Sequence, residues 1–272
     1  MRARDALAPA ALLAVRLLRP FRPSGGLRIL MLHDVPTPQR HTLATLVSAL
    51  KHAGTLLDPA TARRMLDGES GPGGVLLSFD DGFASNLEVA ETILAPLGAR
   101  ALFFVCPGLM DLGEAEQRAA IAANILRGQR AAPEGLMDWR AIERLVALGH
   151  TIGSHTRDHL RLAGLTPDHQ AEQIGDAARM LAARLGAVPD WFAYTFGDID
   201  SIDAAALTEI GRHHRLCRSG VRGLNTAATP RLALRGDHVD LEASAAWRAL
   251  VVEGGLDPLY RQRRRRLDGM VP

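Results

Sequence analysis

Two adjacent carboxylates end an apolar run in the first half of the chain. Residues 76–82 are Leu-Leu-Ser-Phe-Asp-Asp-Gly, so Asp80 and Asp81 directly follow a segment with the pattern of a buried strand. In α/β barrels the catalytic groups lie at the carboxyl ends of the strands. Because adjacent carboxylates repel each other, a nearby cation would stabilise both of them. An exposed Asp-Gly turn is the alternative interpretation of the same residues.

Two histidines four residues apart form a second candidate group. His155 and His159 follow a short predicted strand and Gly153. On a helical turn this spacing places both imidazoles on one face, where they could share a metal ion. The spacing also occurs by chance, and its combination with the two carboxylates makes a metal site the better interpretation. Two histidines and one carboxylate are the ligands of an open catalytic zinc site, which keeps a position for water.

A third strand end carries ionisable residues near the N-terminus. Residues 29–35 are Ile-Leu-Met-Leu-His-Asp-Val. His33 could act as a proton donor, and Asp34 could orient its ring. A strand-end histidine that is hydrogen-bonded to a backbone carbonyl is the alternative.

These segments resemble the motifs of the polysaccharide deacetylases, the NodB-homology or carbohydrate esterase family four domain. Residues 78–82, Ser-Phe-Asp-Asp-Gly, are similar to the motif T-F-D-D-G, and residues 155–159, His-Thr-Arg-Asp-His, match H-[ST]-x-x-H. The similarity covers about residues 27–234. It implies an α/β fold, a distorted (β/α) barrel of about seven parallel strands.

The resemblance also implies roles for the first two groups of residues. Asp80 corresponds to the general base of the family, and Asp81, His155 and His159 correspond to its metal ligands. The cofactor is then one divalent metal ion. Zinc is expected, although cobalt and nickel accept the same ligands.

The third motif of the family, R-x-P-x-G, is altered in this chain. Residues 192–197 are Phe-Ala-Tyr-Thr-Phe-Gly, so Ala193 replaces the arginine and Thr195 replaces the proline. In the family this arginine steadies the base, and its role here is either vacant or filled from elsewhere. Relatives with the variant F-A-Y-P-[FY]-G also lack the arginine. The backbone N–H of Phe196 is expected to stabilise the oxyanion.

The last motif of the family, L-x-x-H, is also altered. Residues 232–235 are Leu-Ala-Leu-Arg, and His238 is nearby but displaced. Residues 30–34 resemble this motif moved to the N-terminal side, as in circularly permuted exopolysaccharide deacetylases. We therefore expect His33 to be the catalytic acid and Asp34 to orient it.

The implied activity is hydrolysis of N-acetyl groups from an N-acetylated sugar polymer or glycan, with release of acetate. Two alternatives remain open. The chain could be a catalytically impaired homologue that binds glycans, because Ala193 and Thr195 depart from the motif. It could also be a metal-dependent amidase that acts on a small, non-carbohydrate amide. Asp80 favours an enzyme over a binding domain, because binding needs only the metal ligands.

The elements that must position these residues alternate along the chain. We predict strands at 27–32, 75–79, 101–106, 151–153, 191–195, 216–218 and 231–234, and helices at 43–53, 84–97, 112–127, 139–148, 167–185 and 202–212. Alternating strands and helices predict a largely parallel sheet covered by helices. This pattern fits a closed barrel and an open sheet equally well.

Composition limits the remaining classes of function. The 272 residues are 47% hydrophobic, which is enough for one sizeable core. A net charge of +2 gives no general attraction for nucleic acid, so none is expected as a partner. Cys106 and Cys217 are too few for a disulfide framework or a thiolate zinc site.

Both ends of the chain are basic. We divide the chain into an N-terminal amphipathic helix and linker (residues 1–26), a deacetylase-like barrel (27–250) and a basic C-terminal tail (251–272) that contains Arg263–Arg266. The N-terminal helix is interpreted either as packed on the domain or as lying on a membrane, so that residues 1–22 or the tail are candidates for peripheral membrane contact. For the tail, the first interpretation is a solvated segment, and a patch for a membrane surface or an anionic polymer is the alternative. The first segment is too short and too charged to span a bilayer, and it lacks a convincing cleavage site. These features favour a cytoplasmic or membrane-peripheral location.

Overall fold

The structure, a computed structural model, describes residues 3–18, 25–69, 71, 73–128 and 135–272. A seven-stranded parallel sheet runs through it in the order β7-β6-β5-β4-β3-β1-β8, and the short β2 pairs with β3. The strands are β1 (Leu27–Leu32), β2 (Leu56–Leu57), β3 (Gly74–Phe79), β4 (Leu102–Val105), β5 (Thr151–Ser154), β6 (Trp191–Ala193), β7 (Leu216–Arg218) and β8 (Asp237–His238).

Helices connect the strands. They are α1 (Ala3–Leu17), α2 (Thr37–His52), α3 (Pro59–Leu66), α4 (Ser85–Val89), α5 (Pro107–Met110), α6 (Glu114–Ala120), α7 (Trp139–Ala147), α8 (Pro167–Ala171), α9 (Ala177–Leu185), α10 (Ala204–His213), α11 (Ala245–Val252) and α12 (Arg261–Asp268). Helical turns of the π type extend α4 over Ala90–Leu94, extend α6 over Ile121–Ile125, and join α8 to α9 over Glu172–Asp176.

The sheet curls into an incomplete barrel, which confirms the predicted fold of about seven parallel strands with an N-terminal helix. The strand predicted at 231–234 is wrong. Arg231–Ala233 is a 3₁₀ turn, and the last strand is β8. The turn follows Pro230, which has no N–H to donate to a strand ladder. Leu234 alone forms a bridge, with Arg218.

Alternation along the strands separates the two faces of the sheet. Leu77 and Phe79 of β3 lie in the apolar cluster beneath the outer helices, whereas Leu76 belongs to the cluster inside the barrel. Successive side chains of a strand point to opposite faces. Ser78 and Asp80 therefore continue the row that faces the barrel interior. Both faces of β3 are buried, as expected for a parallel strand covered by helices.

The N-terminal helix packs along α11. Ala8 and Leu12 of α1 are buried, and its charged residues pair with the main domain: Arg4 with Asp240, and Arg16 with Glu253. Residues 1, 2 and 19–24 lie outside the described residues, so the predicted linker is described only at its last two positions. Among the helices of the described ranges, none is long and apolar enough to cross a membrane.

The basic C-terminal segment forms part of the same body. It contains a 3₁₀ turn, Asp257–Tyr260, followed by α12. Leu267 of α12 is fully buried in an apolar cluster with residues of β6 and β7, and Asp268 pairs with Arg235. The boundaries proposed for the three segments of the chain remain a prediction.

Candidate active site

The carboxyl ends of the parallel strands meet at one edge of the barrel. His33 follows β1, Asp80 and Asp81 follow β3, and His155 follows β5. Phe196 lies just beyond β6, and Arg218 is the last residue of β7. The sheet topology therefore brings together residues that are far apart in sequence.

Asp81, His155 and His159 form a compact, buried group. Their ligand atoms all lie within 4.8 Å of one another. The Nε2 atoms of His155 and His159 lie 3.3 Å and 3.1 Å from Asp81 Oδ1. One carboxylate oxygen and two imidazole nitrogens thus converge on one point, and this donor set suits a divalent transition metal.

Backbone carbonyl groups orient both rings of this group. The Nδ1 atom of His155 lies 2.6 Å from the carbonyl oxygen of Ala193, and that of His159 lies 3.0 Å from the carbonyl oxygen of Asn124. A carbonyl group can only accept, so Nδ1 carries the proton in each ring. Nε2 of each ring therefore faces Asp81: it offers a lone pair when a metal ion is bound, and without an ion a proton on Nε2 can donate to Asp81 Oδ1.

A loop, not a helical turn, brings the two histidines together. The interpretation of His155 and His159 as neighbours on a helix face is wrong, because the residues after β5 are irregular. Thr156 and His159 have φ angles of 67° and 59°. The hydroxyl group of Thr156 accepts a hydrogen bond from the His159 N–H at 3.0 Å, which closes the loop.

Backbone strain is concentrated around this group. Among the described residues, those with positive φ other than glycine are Asp81, Arg127, Thr156, His159 and Phe196. Left-handed backbone is costly for residues with a side chain and persists where the surroundings enforce it, typically at functional sites. All five lie in the group, in its loop or beside the Phe196 ring.

The charge of Asp81 is stabilised inside the group. Burial alone would raise the pKa of Asp81, but the charge of His159 and hydrogen bonds from both histidines outweigh it. They hold the pKa of Asp81 well below its usual range. Asp81 is therefore ionised at neutral pH.

The neighbouring Asp80 is paired with a buried arginine that sequence reasoning missed. Arg218 Nη2 lies 2.5 Å from both carboxylate oxygens of Asp80, and the Arg218 side chain is fully buried. Phe104 lies beside the guanidinium group, 5.0 Å from ring centroid to Cζ. Gly236 leaves room for the stem, because a Cβ there would lie 2.7 Å from Arg218 Cδ.

The position of Arg218 explains the altered third motif. Arg218 on β7 is the register partner of Ala193 on β6, the position where the motif has its arginine. Ala193 and Leu216 both belong to the cluster inside the barrel, so Arg218, two residues after Leu216, points to the same face. The sequence signal was an arginine at the end of a short apolar strand, where a buried charge needs a partner.

His33 lies at the edge of the same cavity. It lines a cavity of about 80 Å³ together with Asp80, Asp81, His155, His159 and Phe196. His33 Nε2 is 4.0 Å from Asp80 Oδ2. His238 lies next to His33, with ring centroids 5.5 Å apart, and lines an adjoining cavity of about 380 Å³.

The last two predicted residues occupy different surroundings. Asp34 Oδ1 accepts a hydrogen bond from Ser85 Oγ at 2.9 Å, which ties Asp34 to the start of α4. Phe196 has a φ of 63°, and its ring meets the edge of the His159 ring at 4.9 Å. Orientation of His33 by Asp34 and oxyanion binding by the Phe196 N–H remain predictions.

Comparison with known proteins identifies the family. The sequence model of the polysaccharide deacetylases matches residues 67–213, more than half of the chain. The chain belongs to the polysaccharide deacetylase family. The matched segment contains Asp80, Asp81, His155 and His159, whereas His33 and Arg218 lie outside it.

Similar proteins include members of the same family. YxkH of Bacillus subtilis strain 168, whose name places it among the polysaccharide deacetylases, is 27% identical over 126 residues. This alignment covers 46% of the chain but only 38% of YxkH.

Solved structures share the fold of this family member. The deacetylase PplD of Streptococcus pyogenes, solved with acetate, superposes with a TM-score of 0.68 at 19% identity, covering 85% of this chain and 98% of PplD. IcaB of Ammonifex degensii gives a TM-score of 0.65 at 22% identity, covering 83% of this chain and 97% of IcaB. At these identities the similarity is one of fold.

Proposed function

We propose that the chain hydrolyses N-acetyl groups of an N-acetylated glycan and releases acetate. The observation that carries this proposal is the buried Asp81–His155–His159 group, which shares a cavity with the paired carboxylate of Asp80. A glycan-binding domain could use the Asp81–His155–His159 group, but it would not need Asp80, a second carboxylate that is paired with an arginine beside this group. Membership of the deacetylase family supports the same conclusion.

Asp81, His155 and His159 would hold one divalent ion, with zinc the expected metal and cobalt or nickel acceptable. These residues suit a metal ion because each histidine uses Nδ1 to donate to a backbone carbonyl and turns Nε2 toward Asp81. When bound, such an ion polarises the acetyl carbonyl and makes water a stronger nucleophile.

In this proposal Asp80 is the general base. It would accept a proton from the water that attacks the acetyl carbon, and Arg218 would hold the carboxylate in place. Asp80 is separate from the ligand Asp81, so it is free to gain and lose a proton. Positioned acid–base groups of this kind contribute roughly 10² to 10⁴ in rate.

His33 would donate a proton to the departing sugar nitrogen. An amine is a poor leaving group unless it is protonated, so amide hydrolysis needs an acid on the side of the leaving group. His33 is partly exposed, lines the cavity and is outside the metal-ligand group. Asp34 is proposed to orient it, and the Phe196 N–H to bind the oxyanion.

Acetate release tests the proposed function. The zinc-loaded protein should release acetate from N-acetylglucosamine oligomers, and a chelator should abolish this activity. A small N-acetyl amide without a sugar serves as the matched substrate. Turnover of the small amide alone would favour an amidase, and tight binding of the oligomers without acetate release would favour a glycan-binding domain.

We also propose that α1 rests on an anionic membrane surface. Its charged residues pair with the main domain, while Leu7, Leu13, Leu17 and Leu18 are 59–70% exposed. Arginines flank this apolar face in the sequence, at positions 2, 19 and 22, and basic residues near an apolar helix favour anionic lipids.

Flotation with vesicles tests membrane contact. The protein should float with phosphatidylserine vesicles, and Leu7→Gln with Leu17→Gln should reduce the floating fraction. Val146→Gln, at an exposed apolar position of α7, is the control. Self-association of the protein without vesicle binding would contradict the proposal.

A further inference from the structure

Two arginines flank the aromatic ring at the mouth of the cavity. Arg127 Cζ lies 3.4 Å from the centroid of the Phe196 ring, and Arg161 Cζ lies 5.2 Å from it. Phe196 lines the cavity with the metal-ligand group, and the edge of its ring meets His159. The Phe196 ring therefore contacts both guanidinium groups and also His159, one of the proposed metal ligands.

Stacking leaves the donors of these arginines available. A guanidinium group that lies over an aromatic ring uses its face, so its in-plane N–H groups still point outward. Arg127 is exposed, and among the described residues it has no carboxylate at ion-pair distance. Its position over the Phe196 ring thus places N–H donors beside the cavity.

The local charge is positive. Arg161 Nη1 donates to the carbonyl oxygen of Asp200 at 2.9 Å and lies 3.6 Å from Asp198 Oδ1. Asp198 is the one carboxylate that faces both arginines in this part of the described structure. Desolvation by neighbouring atoms is the larger cause of the lowered pKa of Arg127, and repulsion from the nearby Arg161 lowers it further.

Arg127 is also held in a strained backbone conformation. Its φ is 50°, and it is one of the residues with positive φ around the cavity. Arg127 follows Asn124, whose carbonyl oxygen orients His159, and Ile125, which lines the cavity. Residues 124–127 therefore contribute to the cavity and also place Arg127 over Phe196.

We propose that Arg127 and Arg161 form a subsite for an anionic group of the substrate glycan. The group is a carboxylate or a phosphate, carried by the N-acetylated sugar or by its neighbour, because these are the planar or multidentate anions that a guanidinium group binds. The inference rests on the proposed function and narrows its substrate to acidic N-acetylated glycans.

Three matched substrates test the inference. They are an oligomer of N-acetylglucosamine, an oligomer that alternates N-acetylglucosamine with glucuronate, and an N-acetylglucosamine oligomer with 6-phosphate groups. The wild-type kcat/KM should be at least about tenfold higher for one of the acidic substrates, mainly through a lower KM. Preference for the uronate or for the phosphate identifies the anion.

Charge-neutral variants give the decisive comparison. Arg127→Gln and Arg161→Gln should each lower the ratio of acidic to neutral kcat/KM about tenfold, with little change for the neutral oligomer. Arg118→Gln, in the exposed pair with Glu114 on α6, is the control and should keep the wild-type ratio. Added salt should weaken only the turnover of the acidic substrate.

Calorimetric binding to the same panel separates two kinds of failure. Absence of acetate release from every substrate would count against the proposed function, and tighter binding of an acidic oligomer would still support the subsite. Equal affinity and equal turnover for neutral and acidic oligomers would overturn the subsite, as would a wild-type ratio in both arginine variants.

Discussion

Replacing Arg218 by methionine should impair both acetate release and stability. The substitution keeps an unbranched side chain beside Phe104 and Gly236 but removes the cation that binds both oxygens of Asp80. Asp80 is only 3% exposed, so water does not replace the lost partner. The remaining carboxylate is then buried without its counter-charge and is no longer held in place to accept a proton.

The structure sets the size of the expected effects. Removing one partner of a buried ion pair costs roughly 3–5 kcal/mol, because the remaining charge is left uncompensated. Loss of a positioned base lowers turnover roughly 10²- to 10⁴-fold at neutral pH.

Urea unfolding and the rate of acetate release measure the two effects separately. Arg235→Met is the control, because Arg235 is also buried but pairs with Asp268, outside the cavity. It should lower stability and leave the kcat/KM of acetate release unchanged. Combining Arg218→Met with Asp80→Asn should recover stability without recovering activity, since no buried carboxylate is then left unpaired.

A gain-of-function variant strengthens the test. Ala193 is the register partner of Arg218 on the adjacent strand, so Ala193→Arg in the Arg218→Ala background should restore part of the activity. Wild-type turnover in Arg218→Met would refute the role assigned to Arg218.

Three further predictions concern other residues. Asp80→Asn should keep metal content but lose most acetate release, whereas His155→Ala should lose both; equal metal loss would contradict the separation of base and ligand. His33→Ala should keep metal content and lower amide turnover roughly 10²- to 10⁴-fold but spare an activated ester, and the same pattern in His238→Ala alone would make His238 the acid. Burial lowers the pKa of His150 from 6.5 to about 4, so the folded protein holds His150 in its neutral form. The contribution of this group to the free energy of unfolding is therefore complete above about pH 6.5. This stability, at most about 3 kcal/mol, should fall as the pH drops toward 4, and urea unfolding at pH 7 and pH 5 should show a smaller difference for His150→Asn.

Local sequence signals were sufficient for most of the fold. The long strands are apolar runs that can be identified without knowing which strand each one pairs with. Asp138 and Thr166 cap the helices that we predicted to begin at residues 139 and 167. The short elements were missed: β2 and β8 have two residues each, too few for a periodic pattern. The helix α3 had a usable signal, because Asp58 precedes Pro59 and its side chain caps the helix.

The candidate site divides in the same way. Short contiguous motifs contain the base and the three ligands, Asp80, Asp81, His155 and His159, so these residues could be identified from the sequence. The expected helical turn between the two histidines was wrong, because a loop connects them. Arg218 is 138 residues from Asp80 in sequence, and the pair forms only after β3 and β7 take their places in the sheet. Long-range pairing of this kind leaves no local pattern.

The position of Arg218 shows why loss of a motif residue need not mean loss of its function. Adjacent parallel strands are about 4.8 Å apart, and register partners on them point to the same face. An arginine side chain is long enough to cover that distance, so a guanidinium group can reach the same carboxylate from either strand. Ala193 and Arg218 are such partners. Inspection of the β6 motif alone would suggest that the arginine next to Asp80 is absent. In the folded sheet, Arg218 of the neighbouring β7 supplies that positive charge.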